Sequence, residues 1–163
     1  MPEKQTIERA REDRREGKSA STQAGEFIRE EIHHIRQGKH GASSTKQAIA
    51  IGLSKARRSG VKLPAPGKGK ASAETRAKAS RELQRGKTPS RKPSSRRSRA
   101  TTAALKREGS EAATPRALAR QARSTARARG PVARHSAAMK AVRTKGKTGR
   151  SEAAQKSART RAA

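Results

Sequence analysis

The sequence predicts a mainly α-helical protein, with a short helical hairpin module followed by a largely disordered, transiently helical basic tail. Three observations lead to this fold class. Only 29% of the 163 residues are hydrophobic and 1% are aromatic, whereas 34% are charged. Larger apolar residues recur at helical spacing in two early segments. The rest is filled mainly by Ala, Arg, Lys, Gln and Ser, most of which favour helices.

Charge divides the chain. Residues 1–37 hold eight Lys/Arg and eight Asp/Glu and are neutral overall. Residues 64–163 hold 28 Lys/Arg and five acids, and they contribute most of the net charge of +29. This asymmetry predicts a charged, solvated helix in 1–19, the hairpin module in 20–63 and a basic low-complexity tail in 64–163. A polyanion is the expected partner of such a tail.

The first predicted helix covers residues 3–16. Oppositely charged residues three or four apart, such as Glu8 and Arg11, support a helix in water. Ile7 is nearly all that this segment has to bury. We therefore expect it to be solvated.

The second predicted helix, 22–37, carries one apolar stripe and ends at Gly38. Such a stripe needs a partner, which is either the next helix or a second copy of the chain. The stripe consists of Phe27, Ile28, Ile32 and Ile35.

The third predicted helix, 45–58, completes the hairpin through the loop 38–44. Ser44 or Thr45 is a natural N-cap, and Ile49, Leu53 and Ala56 share a face. Gly52 within the helix costs about 1 kcal/mol relative to Ala, which indicates a close backbone approach. Since residues 38–63 contain no acid, four bases are expected to make the outer face basic: Lys46, Lys55, Arg57 and Arg58.

Burial cannot order the tail by itself. Fixing about 100 residues costs on the order of 100 kcal/mol, whereas its six larger aliphatic side chains would contribute roughly 10–20 kcal/mol. Local helices are predicted at 73–85, 101–108, 115–129 and 132–145, and more weakly at 151–161. Residues 88–99 are expected to stay extended and mobile. Helix stops of the form Gly-Lys recur at Gly17, Gly38, Gly86 and Gly146.

The pattern of basic residues in the tail favours phosphate binding. Four arginines recur at helical spacing after the cap Thr114 and Pro115, namely Arg116, Arg120, Arg123 and Arg127. A shorter row consists of Lys78, Arg81 and Arg85, and further bases are Arg91, Lys92, Arg96 and Arg97. The alternative to a phosphate-binding face is that this spacing arises by chance in an Arg-rich chain. Two Thr-Pro segments near these bases are either linker turns or elements that enter the minor groove.

Two resemblances add to this interpretation. The segment TKQAIAIGLSKARRSGVKLP, residues 45–64, resembles a small uncharacterised bacterial family with a KQAIAIGLSxARxxG segment, whose members often carry a DNA-binding label. The resemblance covers roughly residues 20–64 and implies no catalytic residue. The tail is similar in composition to linker-histone-like tails, although it favours Arg over Lys.

Signals for catalysis and cofactors are weak. The chain has no Cys, and none of its Gly-Lys-Ser/Thr triplets has the preceding glycine of a phosphate-binding loop. One helix end, with His33, His34, His40, Glu30 and Glu31, has residue types that bind divalent metals. The sequence offers no buried shell around them, so we predict no metal, no cofactor, no small-molecule substrate and no enzyme.

The sequence therefore predicts a nucleoid-associated, histone-like protein that binds and compacts duplex DNA without sequence preference. The near absence of aromatic residues argues against stacking on single strands. The alternatives are an RNA- or ribosome-associated protein, a partner of acidic proteins or membrane surfaces, and a plasmid-maintenance accessory protein. No apolar run approaches the about 20 residues of a membrane span, and no signal peptide is recognisable. We expect a cytoplasmic location and a possible homo-oligomer formed through the hairpin.

Overall fold

A computed structural model describes residues 2–87 and 94–162, and regular structure within these ranges is helical throughout. The chain divides into two compact units, 1–118 and 119–163. The helices are α1 Lys4–Arg15, α2 Ala20–Arg36, α3 Thr45–Arg58, α4 Ala73–Arg85, α5 Ser95–Arg107, a 3₁₀ turn Glu111–Ala113, α6 Pro115–Ala128 and α7 Gly130–Ala162. The mainly helical class is thereby confirmed.

Side-chain caps and glycines set several helix ends: Ser44 caps α3 as predicted, and Ser19 caps α2, which begins at Ala20, two residues before the predicted start. The Ser19 and Ser44 hydroxyls accept the backbone N–H groups of Thr22 and Gln47, at 3.3 and 3.2 Å. Gly38, which follows α2, has φ 69°, a left-handed conformation that favours glycine. Gly86 differs from the prediction, since its φ is −70°. A Cβ there would collide with the Arg57 carbonyl, so close packing accounts for that glycine.

The tail contains more helix than predicted. Helix α5 begins at Ser95, inside the stretch 88–99 that was expected to be extended. Residues 88–93 lie outside the described ranges. Residues 94–107 contain no proline, and their Arg, Ala, Leu and Lys residues favour helix. Helix α7 joins the two last predicted segments across a kink at Gly146, where φ is 63°.

Helix α2 is the centre of the first unit. It packs against α1, α3 and the 3₁₀ turn, and α4 packs on α3. One apolar cluster lies toward its C-terminal end and consists of Ile32, Ile35, Ala42, Ala48, Ala112 and Ala113, with Ile28 and Leu118 at its edge. The second lies toward its N-terminal end and consists of Ala10, Ala24, Phe27, Ala56 and Val61, flanked by Ile7, Ala20, Leu53 and Leu63. Packing in this unit thus extends beyond the predicted module 20–63.

Helix α1 is not the solvated helix that was predicted. Thr6, Ala10 and Asp13 are buried against the rest of the unit. An ion pair between Arg9 Nε and Glu26 Oε2, at 2.7 Å, also joins α1 to α2. The expectation was wrong because it considered large apolar residues, whereas small side chains such as Thr6 and Ala10 allow two helices to approach closely.

The buried face of α3 is also shifted from the predicted one. It consists mainly of small residues: Thr45, Ala48, Gly52 and Ala56. Ile49 and Leu53 flank this face and are half-buried.

The apolar stripe of α2 is covered within the chain. Phe27, Ile32 and Ile35 are buried, and half-buried Ile28 packs beside them. These residues therefore form the core of the first unit, which is one of the two roles predicted for them.

The predicted close approach at Gly52 is confirmed. A Cβ built on Gly52 would lie 2.8 Å from Cα and 3.0 Å from Cγ1 of Ile28. The backbone of α3 therefore rests on the backbone of α2 at this point, and no larger residue fits without a shift.

We expect Gly52→Ala to lower the free energy of unfolding by about 1–3 kcal/mol, because overpacking outweighs the gain in helix propensity. Chemical denaturation followed by circular dichroism measures this change. Gly25→Ala in α2 is the matched control, since its Cβ would meet nothing within 4 Å. This control should stabilise by up to about 1 kcal/mol. Equal stabilisation by both variants would contradict the close contact.

Candidate nucleic-acid interface

The predicted bases of the tail are displayed on helical surfaces. All of these bases that lie within the described residues are exposed. They are Lys78, Arg81 and Arg85 on α4, Arg96 and Arg97 on α5, and Arg116, Arg120, Arg123 and Arg127 on α6. Arg91 and Lys92 lie outside the described residues. The guanidinium and ammonium groups are therefore available to a ligand in solution.

Helix α6 begins where the sequence indicates. The Thr114 hydroxyl accepts the backbone N–H of Ala117 at 3.2 Å, and Pro115 is the first helical residue. Since α6 is helical through Ala128, the spacing of its arginines places them in one row along the helix. We call Arg116, Arg120, Arg123 and Arg127 the arginine row.

On α3, only two of the four predicted bases are displayed. Lys46 and Arg58 are exposed, whereas Arg57 is 7% exposed and Lys55 is half-buried. The predicted basic face is therefore smaller than expected. The reason is that acids from α2 and α4 lie opposite Lys55 and Arg57.

Arg57 joins α3 to α4 and to the segment that follows α3. Its Nη1 lies 3.7 Å from Oε2 of Glu82, which is itself buried. Its Nε donates to the backbone carbonyl of Leu63 at 3.3 Å. These contacts make Arg57 a structural residue of the first unit.

Lys55 neutralises two adjacent buried acids of α2. Its Nζ lies 2.6 Å from Oε2 of Glu31 and 3.3 Å from Oε1 of Glu30. The Glu30 side chain also accepts the backbone N–H of Glu3 at 3.0 Å. Sequence reasoning missed this cluster, although two consecutive acids within the apolar stripe of α2 were a visible signal of buried charge.

Two histidines lie beside these acids. His34 Nε2 is 2.7 Å from Oε1 of Glu3, and His40 Nε2 is 3.3 Å from Oε1 of Glu31. The hydrogen bond from His34, together with Lys39, lowers the pKa of the Glu3 carboxyl despite the opposing effect of desolvation. Glu31, His34 and His40 bring potential metal-ligating atoms within 4.8 Å of one another. His33, the third histidine considered from sequence, is exposed.

These features describe a helical protein with a neutral, ion-paired N-terminal part and basic helices after it. Within the described ranges, no helix combines the length and apolar character needed to cross a bilayer.

Comparison with known families finds a match in the N-terminal part of the chain. Residues 4–66 match the model of a family of unknown function, DUF6496. The matched stretch contains α1, α2 and α3 and ends before α4. No curated protein matches the chain significantly, and no solved structure does.

We expect Lys55→Met to lower the free energy of unfolding by about 3–5 kcal/mol, because it leaves two buried carboxylates without their cation. Chemical denaturation measures the loss. Lys46→Met, an exposed change on the same helix, should stay within about 0.5 kcal/mol of wild type.

Adding Glu31→Gln to Lys55→Met should recover part of the lost stability, since one of the two charges is then removed. A Lys55→Met protein as stable as the Lys46→Met control would contradict the buried ion pair.

Proposed function

We propose that this protein binds and compacts duplex DNA without sequence preference, as a nucleoid-associated, histone-like protein and not as an enzyme. The exposure of the predicted bases on α4, α5 and α6 is the observation that supports the proposal most strongly. Duplex DNA is the polyanion with the charge density that suits such a surface.

The distribution of ion pairs supports a surplus of available positive charge. Among the described residues, acids in α1 and α2 or beside them pair with Arg9, Lys18, Arg29, Lys39 and Lys55, and Glu82 of α4 pairs with Arg57. Residues 64–163 have 28 Lys/Arg but only five acids. Internal neutralisation is therefore limited in the basic part by its shortage of acids.

The arginine row places four of these positive charges along one helix. From Arg116 to Arg127 the axial rise is about 17 Å at about 1.5 Å per residue. Along the duplex axis, one strand carries a phosphate about every 3.4 Å, so the row is long enough to reach several phosphates. Guanidinium groups bind phosphate oxygens through paired hydrogen bonds. A helix with this row is suited to follow a phosphate backbone.

Binding itself would order part of the tail. The tail has few large apolar side chains and a high density of like charge, which disfavour stable packing. Phosphates would remove that repulsion. We propose that the part of the tail that follows the first unit is largely disordered in solution and becomes more helical on DNA. The protein would be located with the nucleoid in the cytoplasm.

We expect the affinity for random duplex to fall steeply with salt. If six or more phosphates are bound, the association constant should drop by about 10³-fold or more between 50 and 200 mM salt. Fluorescence anisotropy with duplexes of unrelated sequence measures this dependence. An affinity that ignores salt, or that belongs to one sequence only, would exclude the proposed mode.

Purification of the protein from its own cells, followed by nuclease treatment, tests which nucleic acid it binds. Deoxyribonuclease should remove the bound material and ribonuclease should leave it. The opposite result would favour the RNA- or ribosome-associated alternative.

The arginine row has its own prediction. Replacing Arg120, Arg123 and Arg127 by Gln should weaken duplex binding and lower the slope of log affinity against log salt by about 0.9 for each phosphate that the variant no longer neutralises. The matched control replaces the exposed bases Arg134, Arg143 and Arg150 of α7, which removes the same charge from different helical positions. Equal weakening in the two variants would show that net charge acts without the row.

A further inference from the structure

Glu31, His34 and His40 form a cluster that the DNA-binding proposal does not use. All three belong to the first unit, with the first two on α2 and His40 in the loop that follows. Their potential ligand atoms lie within 4.8 Å of one another. The Glu31 side chain is fully buried, whereas the two histidine side chains are 11% and 15% exposed. Solvent can therefore reach the cluster from the histidine side.

The hydrogen bonds of the two rings determine which nitrogens remain free to bind a metal. His34 Nε2 donates to the Glu3 carboxylate at 2.7 Å, since a carboxylate only accepts. His40 Nδ1 donates to the Gly41 carbonyl at 3.1 Å for the same reason. In neutral rings, the remaining nitrogens, His34 Nδ1 and His40 Nε2, then carry lone pairs.

These lone pairs face further acceptors. His40 Nε2 lies 3.3 Å from Glu31 Oε1, and His34 Nδ1 lies 4.0 Å from Glu30 Oε1. Glu31 Oε1 is buried and receives no hydrogen bond. Lys55 approaches the other oxygen, Oε2, in an ion pair without hydrogen-bond geometry. Acceptor atoms that face one another in a buried site require a cation between them.

We propose that Glu31, His34 and His40 bind a divalent transition-metal ion of the zinc class through Glu31 Oε1, His34 Nδ1 and His40 Nε2. Two imidazole nitrogens and one carboxylate oxygen are a common ligand set for zinc. The hydrogen bonds of the opposite ring nitrogens, to a carboxylate and a backbone carbonyl, are the supporting shell that metal-binding histidines usually have.

The local charge suits a dication. With neutral imidazoles, Glu3, Glu30 and Glu31 contribute three negative charges, and Lys39 and Lys55 contribute two positive ones. The cluster thus has a net charge of −1 within a chain whose total is +29. The competing occupant is a proton on one of the histidines, which the experiment must distinguish from a metal.

The full-length protein is stripped with a chelator, dialysed and titrated with zinc chloride in competition with a chromophoric chelator. We expect one zinc ion per chain, and an affinity reduced by at least about tenfold in His40→Gln and in His34→Gln. His33→Gln on the exposed side of α2 is the matched control and should bind as wild type does. Far-UV circular dichroism checks that each variant remains helical.

Cobalt(II) provides a readout that needs no variant. Four-coordinate binding by nitrogen and oxygen ligands gives intense visible absorption, which zinc should abolish by displacement. Zinc should also raise the melting temperature of wild type and of His33→Gln, but not that of the His34→Gln/His40→Gln double variant.

Equal zinc binding by wild type and the double variant, or loss of binding in the control alone, would overturn the site. So would the absence of both zinc binding and a cobalt spectrum in folded wild type, which would assign the cluster to a shared proton. Each of these results leaves the DNA-binding proposal unaffected, because none involves the bases of α4 to α6.

Discussion

The first unit depends on the neutralisation of two neighbouring buried carboxylates, those of Glu30 and Glu31. A buried charge is costly unless it is paired, so the partners of these acids must be in place whenever the unit is folded. Those partners come from different segments: Lys55 from α3, and the backbone N–H of Glu3 from the start of α1. The need to neutralise these two carboxylates therefore helps to determine the positions of α1 and α3 against α2.

Small residues make this arrangement possible. Ala24 and Ala48 are fully buried, and Gly52 brings the backbones of α2 and α3 together three residues before Lys55. The helices can therefore approach closely enough for a lysine to reach acids on the opposite helix. The shortage of large apolar residues is compensated by packing among Ala, Gly and Thr, and by hydrogen bonds such as Thr45 Oγ1 to the Ala112 carbonyl at 2.7 Å.

Local signals predicted the helices well because capping and propensity are properties of neighbouring residues. Ser44, Gly38 and Gly52 have the roles that the sequence suggested. The burial of α1 and of Arg57 could not be predicted in this way, since each depends on an acid or a small residue distant in sequence. The sequence indicates Glu31, His34 and His40 as neighbours at one helix end, but it does not show the groups around them: Glu3, 31 residues before His34, supplies the hydrogen bond that orients its ring.

The proposed cation site lies in a very basic protein. A net charge of +29 should repel dications on average. At physiological ionic strength, however, charges separated by more than about 8 Å in solvent are largely screened. The affinity of a partly buried site therefore depends on the groups that adjoin it directly, and here acids outnumber bases. Because eight of the 13 acids lie within residues 1–37, a locally acidic cluster occurs in a chain that is basic as a whole.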